Sequence, residues 1–152
     1  MILYLKKPQL KTIDVDISSL EEYYRSRRGG YVSYKLPESI LNQVYEVFKI
    51  ELQDYIEGAF IQVIDPLFNN NIHRDPRIYA INYILDQGGT NVETCFYDKS
   101  NNEEKYVFPL HQWHLIRTDG LHCVKNVLTE RKSISISFKN NISIDKLLEI
   151  VE

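Results

Sequence analysis

The chain has 152 residues, of which 43% are hydrophobic and 26% charged, and its formal net charge is −3. That is enough apolar matter for one domain with its own core, and the charge balance gives no bulk attraction to nucleic acid or to an anionic membrane. No run of about 18 apolar residues exists, so no membrane span is expected; Cys95 and Cys123 match no zinc spacing and make no disulfide framework.

The opening MILYLKKPQLK lacks the long apolar region and cleavage site of a signal peptide, so a reducing, cytoplasmic setting is expected, with both thiols as small core residues. ILYL (2–5) and TIDVDI (12–17) read as short strands. In the second, Ile13, Val15 and Ile17 alternate with Asp14 and Asp16. SLEEYYRS (19–26) reads as a short helix stopped at Gly29-Gly30, with Arg25, Arg27 and Arg28 as its solvated basic end. YVSYKL (31–36) reads as a strand. The stretch from Pro37 to Gly58 opens on a proline suited to a helix's first turn. Leu41, Val44, Tyr45, Phe48 and Leu52 then form one apolar stripe at helical spacing, and Gly58 is the expected stop. The spacing predicts a helix that covers a sheet.

From Gly58 onward the texture is that of strands: AFIQVI (59–64), RIYAINYIL (77–85), ETCFYD (93–98), KYVFPL (105–110), QWHLI (112–116), LHCVKNV (121–127) and RKSISISF (131–138). Gly88-Gly89 reads as a strand-ending turn, since no helix follows to make a phosphate cradle. SIDKLLEIVE (143–152) reads as a terminal helix with Ser143 as N-cap. Short strands at regular spacing behind a long amphipathic helix predict a mainly β jelly roll or sandwich with supporting helices, one domain over 1–152. Parallel βαβ architecture is not expected, because no helical pattern interrupts 59–138.

Chemistry enters at IHRDPRIYAINYIL. On a strand, residues i and i+2 point the same way, about 6.5–7 Å apart, so His73 and Asp75 can aim an imidazole and a carboxylate at one point. Two histidines and one carboxylate on one face of an octahedron leave three positions open, which suits non-haem Fe(II). Farther along, His122 is followed nine residues later by Arg131 and then by Ser133. His111 and His114 are rival ligands, substrate contacts or surface residues, but neither has an arginine at that separation.

The set H-x-D, a distal histidine and R-x-S resembles the 2-oxoglutarate- and Fe(II)-dependent oxygenases. It is most similar to their prolyl-hydroxylase-like branch and the small versions found in phages and marine bacteria. The resemblance covers roughly 58–139. It implies a double-stranded β-helix, that is, a distorted jelly roll, with 1–57 and the helix at 143–152 as support. It implies that His73, Asp75 and His122 hold Fe(II), while Arg131 pairs with the distal carboxylate of 2-oxoglutarate and Ser133 hydrogen-bonds to it. O2 would be the second cosubstrate, and hydroxylation of a peptidyl or small amino-acid-like substrate the outcome. Two features depart from the family. No glycine-acid pair opens the strand before His122, and the tyrosine often found before H-x-D has no counterpart in GAFIQVIDPLF, where Gln62 is the stand-in.

Alternation supports the resemblance independently. Arg131, Ser133, Ser135 and Ser137 share one face of a strand, with Ile134, Ile136 and Phe138 on the other. Ala80, Asn82 and Ile84 share a face that the resemblance turns to the cavity, where Asn82 would contact 2-oxoglutarate or an iron-bound water, or make a structural hydrogen bond. The segment 64–72 and the hairpin near 98–105 are the expected substrate gates. The alternative readings are a non-catalytic jelly-roll binding module and a cupin-like metal enzyme that does not use 2-oxoglutarate. The latter has no need of Arg131 and Ser133 beside its metal.

Overall fold

Alternation decides which way each strand of this protein faces, and the facing decides where the cavity lies. The computed structural model describes residues 2–152 apart from Thr12 and Asp14. Its strands are β1 (Ile2–Tyr4), β2 (Glu22–Arg25), β3 (Tyr31–Lys35), β4 (Ile56–Ile64), β5 (Tyr79–Asp86), β6 (Glu93–Tyr97), β7 (Glu103–Tyr106), β8 (Trp113–Arg117), β9 (His122–Lys125) and β10 (Arg131–Phe138). Its helices are α1 (Glu38–Val47) and α2 (Ile144–Val151). β1-β8-β5-β10-β4-β3-β2 form one sheet and β7-β6-β9 a second, with every pairing antiparallel.

From β4 onward the chain passes back and forth between the sheets. After β4 it runs beside β9 at His73, returns to the large sheet as β5, enters the small sheet as β6 and β7, and alternates again through β8, β9 and β10. This is the double-stranded β-helix, a distorted jelly roll.

The outer face of the large sheet is apolar. Ile61, Ile81, Trp113, Leu115, Ile134 and Ile136 are fully buried there, beneath Val44 of α1, Leu52, and Leu147, Ile150 and Val151 of α2. Each such side chain contributes on the order of 2 kcal/mol relative to an exposed position. Ser143 caps α2 by accepting a hydrogen bond from the Lys146 amide at 3.1 Å. Cys95 and Cys123 are free, buried and directly opposite each other on β6 and β9. Among the described residues no helix is long and apolar enough to cross a membrane.

Three local expectations fail, each for a physical reason. Residues 22–25 form strand β2 rather than a helix, because they pair with β3 and Tyr23 stacks on Phe60 at 4.7 Å. Gly29 and Gly30, at φ of 80° and 84°, therefore turn a hairpin, and Arg27 and Arg28 sit exposed at its tip. The helix at 37–58 ends at Val47. Phe48 turns extended and drops edge-on against Trp113 at 5.1 Å, a short 3₁₀ turn (Ile50–Asp54) follows, and Gly58 lies inside β4, where a Cβ would strike the Phe60 ring. The strand expected over 12–17 includes Thr12 and Asp14, which lie outside the described residues. Around them Ile13, Val15 and Ile17 do pack on the core, but Ile17–Ser19 is a 3₁₀ turn capped by Asp16.

Candidate metal centre and cavity

His73 and His122 are brought together by the backbone itself. Each donates its amide to the other's carbonyl, at 3.0 and 2.9 Å, as a directly opposed antiparallel pair. Opposed residues share a face, so the two rings lie 4.4 Å apart, centroid to centroid. The Asp75 amide donates to Thr118 O at 3.0 Å, which holds the carboxylate on the same side. Asp75 Oδ1 is then 3.5 Å from His73 Nε2 and Oδ2 is 3.8 Å from His122 Nε2. One donor atom from each of the three residues lies within 4.8 Å of the other two.

Both rings are turned in the same way. Nδ1 of His73 is 2.7 Å from Asn71 O, and Nδ1 of His122 is 2.8 Å from Gly120 O. A carbonyl only accepts, so each Nδ1 carries the hydrogen and each Nε2 presents a lone pair to the centre. Without a metal, the Asp75 carboxylate favours a proton on His73 Nε2 and raises its pKa, whereas burial lowers that of His122; a metal ion would take the place of that proton. Two neutral imidazole donors and one carboxylate on a single side fit a first-row divalent ion with positions left open.

The donors stand on the wall of a cavity of about 610 Å³ between the two sheets, a size typical of small-molecule sites. Its large-sheet wall reads across the strands in rows. Ser33, Gln62, Ser133 and Ile84 form one row on β3, β4, β10 and β5, and Phe60, Ser135, Asn82 and His114 form the next on β4, β10, β5 and β8. The faces expected for β5 and β10 are thus the faces observed. Asn82 Oδ1 and His114 Nε2 are buried there without a hydrogen-bond partner among the described residues.

Arg131 projects into the same cavity and is buried. Its Nη1 donates to Thr94 Oγ1 at 3.2 Å, and no ion pair includes it among the described residues. Burial pulls its pKa down to about 10, so it remains a cation at neutral pH. A buried charge without a counter-charge is costly unless a ligand supplies one.

Sequence reasoning missed two wall residues, Tyr31 and Thr94, and left His114 open between ligand, substrate contact and surface residue. Tyr31 on β3 accepts a hydrogen bond from Gln62 Nε2 at 2.9 Å, and burial, then the Asp75 charge, push its hydroxyl up to about 12. Thr94 on β6 holds Arg131. His114 stacks on Phe108 at 3.9 Å, and burial holds its imidazole down at about 4, hence neutral. His114 alone carried a signal, as the polar residue alternating with Trp113 and Leu115. Its rival His111 is exposed and off the cavity wall. Of the expected gates, 64–72 contributes Ile64, Phe68 and Asn71 to the wall, while the hairpin at 98–105 contributes nothing to it.

The fold and donor set define a class: a double-stranded β-helix chain with a two-histidine, one-carboxylate candidate metal centre. No family model matches the sequence, and no curated protein sequence matches it. Solved structures do share the fold. A 2OG-Fe(II) oxygenase family oxidoreductase from Burkholderia pseudomallei superposes with a TM-score of 0.58 at 14% identity, covering 82% of this chain and 75% of its own. The hydroxypropylphosphonic acid epoxidase of S. wedmorenis gives a TM-score of 0.50 at 11% identity over 84% of this chain and 59% of that one. Bacillus subtilis oxalate decarboxylase, with its Mn(II) centres, gives 0.51 at 10% identity over 90% of this chain and 33% of that one. The chain thus spans three quarters of the first and smaller shares of the other two, and at these identities the likeness concerns the fold.

Proposed function

We propose that this protein is a non-haem Fe(II) oxygenase that couples decarboxylation of 2-oxoglutarate to hydroxylation of a small or peptidyl substrate. The observation that carries the reading is the pairing, in one cavity, of the His73–Asp75–His122 donor set with the buried, unpaired Arg131. The donor set alone serves any cupin-like metal enzyme; the stranded guanidinium calls for an anion.

His73 Nε2, His122 Nε2 and one Asp75 oxygen would hold the iron on one side. When bound, the iron and 2-oxoglutarate supply the oxidative chemistry, using O2. Arg131 would take the distal carboxylate through parallel N–H donors, with Ser133 donating beside it and Thr94 fixing the guanidinium. Asn82, in the next row of the wall, faces the same cosubstrate. The Gln62–Tyr31 pair fills the place of the tyrosine missing from the strand before H-x-D and would contact the cosubstrate near Asp75. Ile84, Ile116 and Phe108 line the wall with apolar surface that excludes water from the reacting end.

Anaerobic titration of the folded, reduced protein with Fe(II) and 2-oxoglutarate tests this. A weak visible charge-transfer band is expected, absent in His73→Ala, and succinate should form when O2 is admitted. Metal binding without the band or succinate leaves a metal enzyme that does not use 2-oxoglutarate. Failure to bind metal leaves a jelly-roll binding module.

A further inference from the structure

The charged residues of the cavity wall are three arginines, Arg74, Arg77 and Arg131, and one aspartate, Asp75, in a chain whose formal net charge is −3. A divalent ion at the candidate centre adds two more positive charges. A single dianionic cosubstrate at Arg131 does not neutralise this wall.

The oxygenase reading leaves two wall cations without work: Arg74, which is exposed and reaches Asp119 O at 3.5 Å, and Arg77, which is half-buried. Its backbone is pinned, because Thr118 Oγ1 donates to Arg77 O at 2.9 Å. Its head is pinned too. Nη1 donates to the buried Ser137 Oγ at 3.2 Å, and the guanidinium lies over the Phe60 ring at 5.4 Å. Phe60 is stacked in turn by Tyr23. Among the described residues no carboxylate pairs with Arg77. With Nη1 engaged, the Nε and Nη2 hydrogens remain as two parallel donors, the fork that matches one carboxylate.

Its position separates it from the cosubstrate site. Ser137, its anchor, stands six residues from Arg131 on the same face of β10, about 20 Å along the strand. Arg77 itself is two residues beyond Asp75, at the metal end of the trough. The two guanidiniums are thus held by different partners on different strands, Arg77 by Ser137 of β10 and Arg131 by Thr94 of β6.

We propose that Arg77 anchors an anionic group of the substrate, so that the substrate is a carboxylate-bearing compound whose apolar part rests on Phe60 and Tyr23. This rests on the oxygenase reading for the words substrate and cosubstrate, but the anion site is testable without it. The probes are phenylacetate and phenylacetamide, which share a ring and a length and differ in charge. Binding is followed by NMR on the full chain loaded with Zn(II) and saturating 2-oxoglutarate, through the arginine Nε–Hε resonances. Phenylacetate is expected to bind at least tenfold tighter than the amide and to move the Arg77 resonance. Arg77→Gln should abolish the preference while leaving 2-oxoglutarate affinity within twofold, and Arg77→Lys should keep part of it. Equal binding of acid and amide, or a preference that survives in folded Arg77→Gln, overturns the proposal. Should the glutamine variant not fold, the wild-type Arg77 resonance decides: it moves with the acid alone or the proposal fails. A blocked glutamyl tripeptide beside its glutaminyl analogue separates a peptidyl acid from a small free one. Failure of 2-oxoglutarate to bind would sink the oxygenase reading and leave the acid-over-amide result to judge Arg77 by itself.

Discussion

Replacing Arg131 with methionine distinguishes a guanidinium kept for a ligand from one kept for the fold. The side chain is buried, and its one hydrogen bond among the described residues goes to a neutral hydroxyl. Burial lowers its pKa from the usual arginine range to about 10. At about 1.4 kcal/mol per tenfold change in proton affinity, keeping it charged at pH 7 costs about 3 kcal/mol. Losing the Thr94 hydrogen bond offsets about 1 kcal/mol of that, and a methionine fills a similar length with flexible apolar matter. The metal-free, ligand-free variant is therefore expected to be about 2 kcal/mol more stable than wild type, a rise in Tm of about 4–8 °C for a domain of this size. The sign with pH is fixed. Above about pH 10 the unfolded chain holds more protons than the folded one, so wild-type stability rises with pH and the gap closes. Thermal and urea unfolding at low ionic strength measure both. In the same assay 2-oxoglutarate at a hundred times its Kd should stabilise metal-loaded wild type by about 2.7 kcal/mol and the variant not at all. A methionine variant less stable than wild type would show that the fold itself employs the charge, and the case for a bound anion would lose its main support.

Two further outcomes follow from the same geometry. Burial holds His114 at about 4, below the value near 6.5 of an unfolded chain. The unfolded state takes the proton first as pH falls, so stability is intact above about pH 6.5 and declines toward pH 4, by on the order of 2 kcal/mol at pH 4.5. Urea midpoints at pH 7 and 4.5 should fall further in wild type than in His114→Phe, which keeps the loss owed to His122; equal losses refute it. Gly88 has φ of +72°, and a Cβ there would lie 2.7 Å from the Arg131 amide nitrogen. Gly88→Ala is expected to cost about 2 kcal/mol or more through strain and collision, and to weaken 2-oxoglutarate binding by shifting Arg131. An unchanged urea midpoint would refute it.

Much of the site was legible because its residues lie on strands whose two faces differ sharply. In RKSISISF one face is Arg131, Ser133, Ser135 and Ser137 and the other isoleucine and phenylalanine, and only one of those faces can sit under α1 and α2. RIYAINYIL speaks the same way through Asn82. The local misreadings arose where propensity and partner disagree. Residues 19–26 carry glutamates that tolerate a helix, but the two tyrosines are worth more against β3 and Phe60. The stripe from Leu41 to Leu52 continues past Val47 in sequence although Phe48 leaves the helix to meet Trp113.

What stayed illegible depends on which strands become neighbours, a long-range fact that no short window contains. Thr94 is an ordinary strand threonine until β6 lies across from Arg131. Tyr31 is one of eleven tyrosines until the β3–β4 register sets it beside Gln62 and in reach of Asp75's charge. Arg77 is part of a polar turn until Ser137 arrives from the far end of the chain. The same cavity wall carries polar atoms that the protein does not satisfy internally: the Arg131 guanidinium has one neutral partner, and Asn82 Oδ1 and His114 Nε2 have none among the described residues, as Gln87 Oε1 and Trp113 Nε1 have none away from it. A fold that leaves such groups bare, while burying Ile134 and Ile136 fully on the other face of β10, spends stability on one face that it recovers on the other. On the oxygenase reading proposed above, these unmet donors and acceptors describe the charge and polarity of the cosubstrate that the cavity would receive.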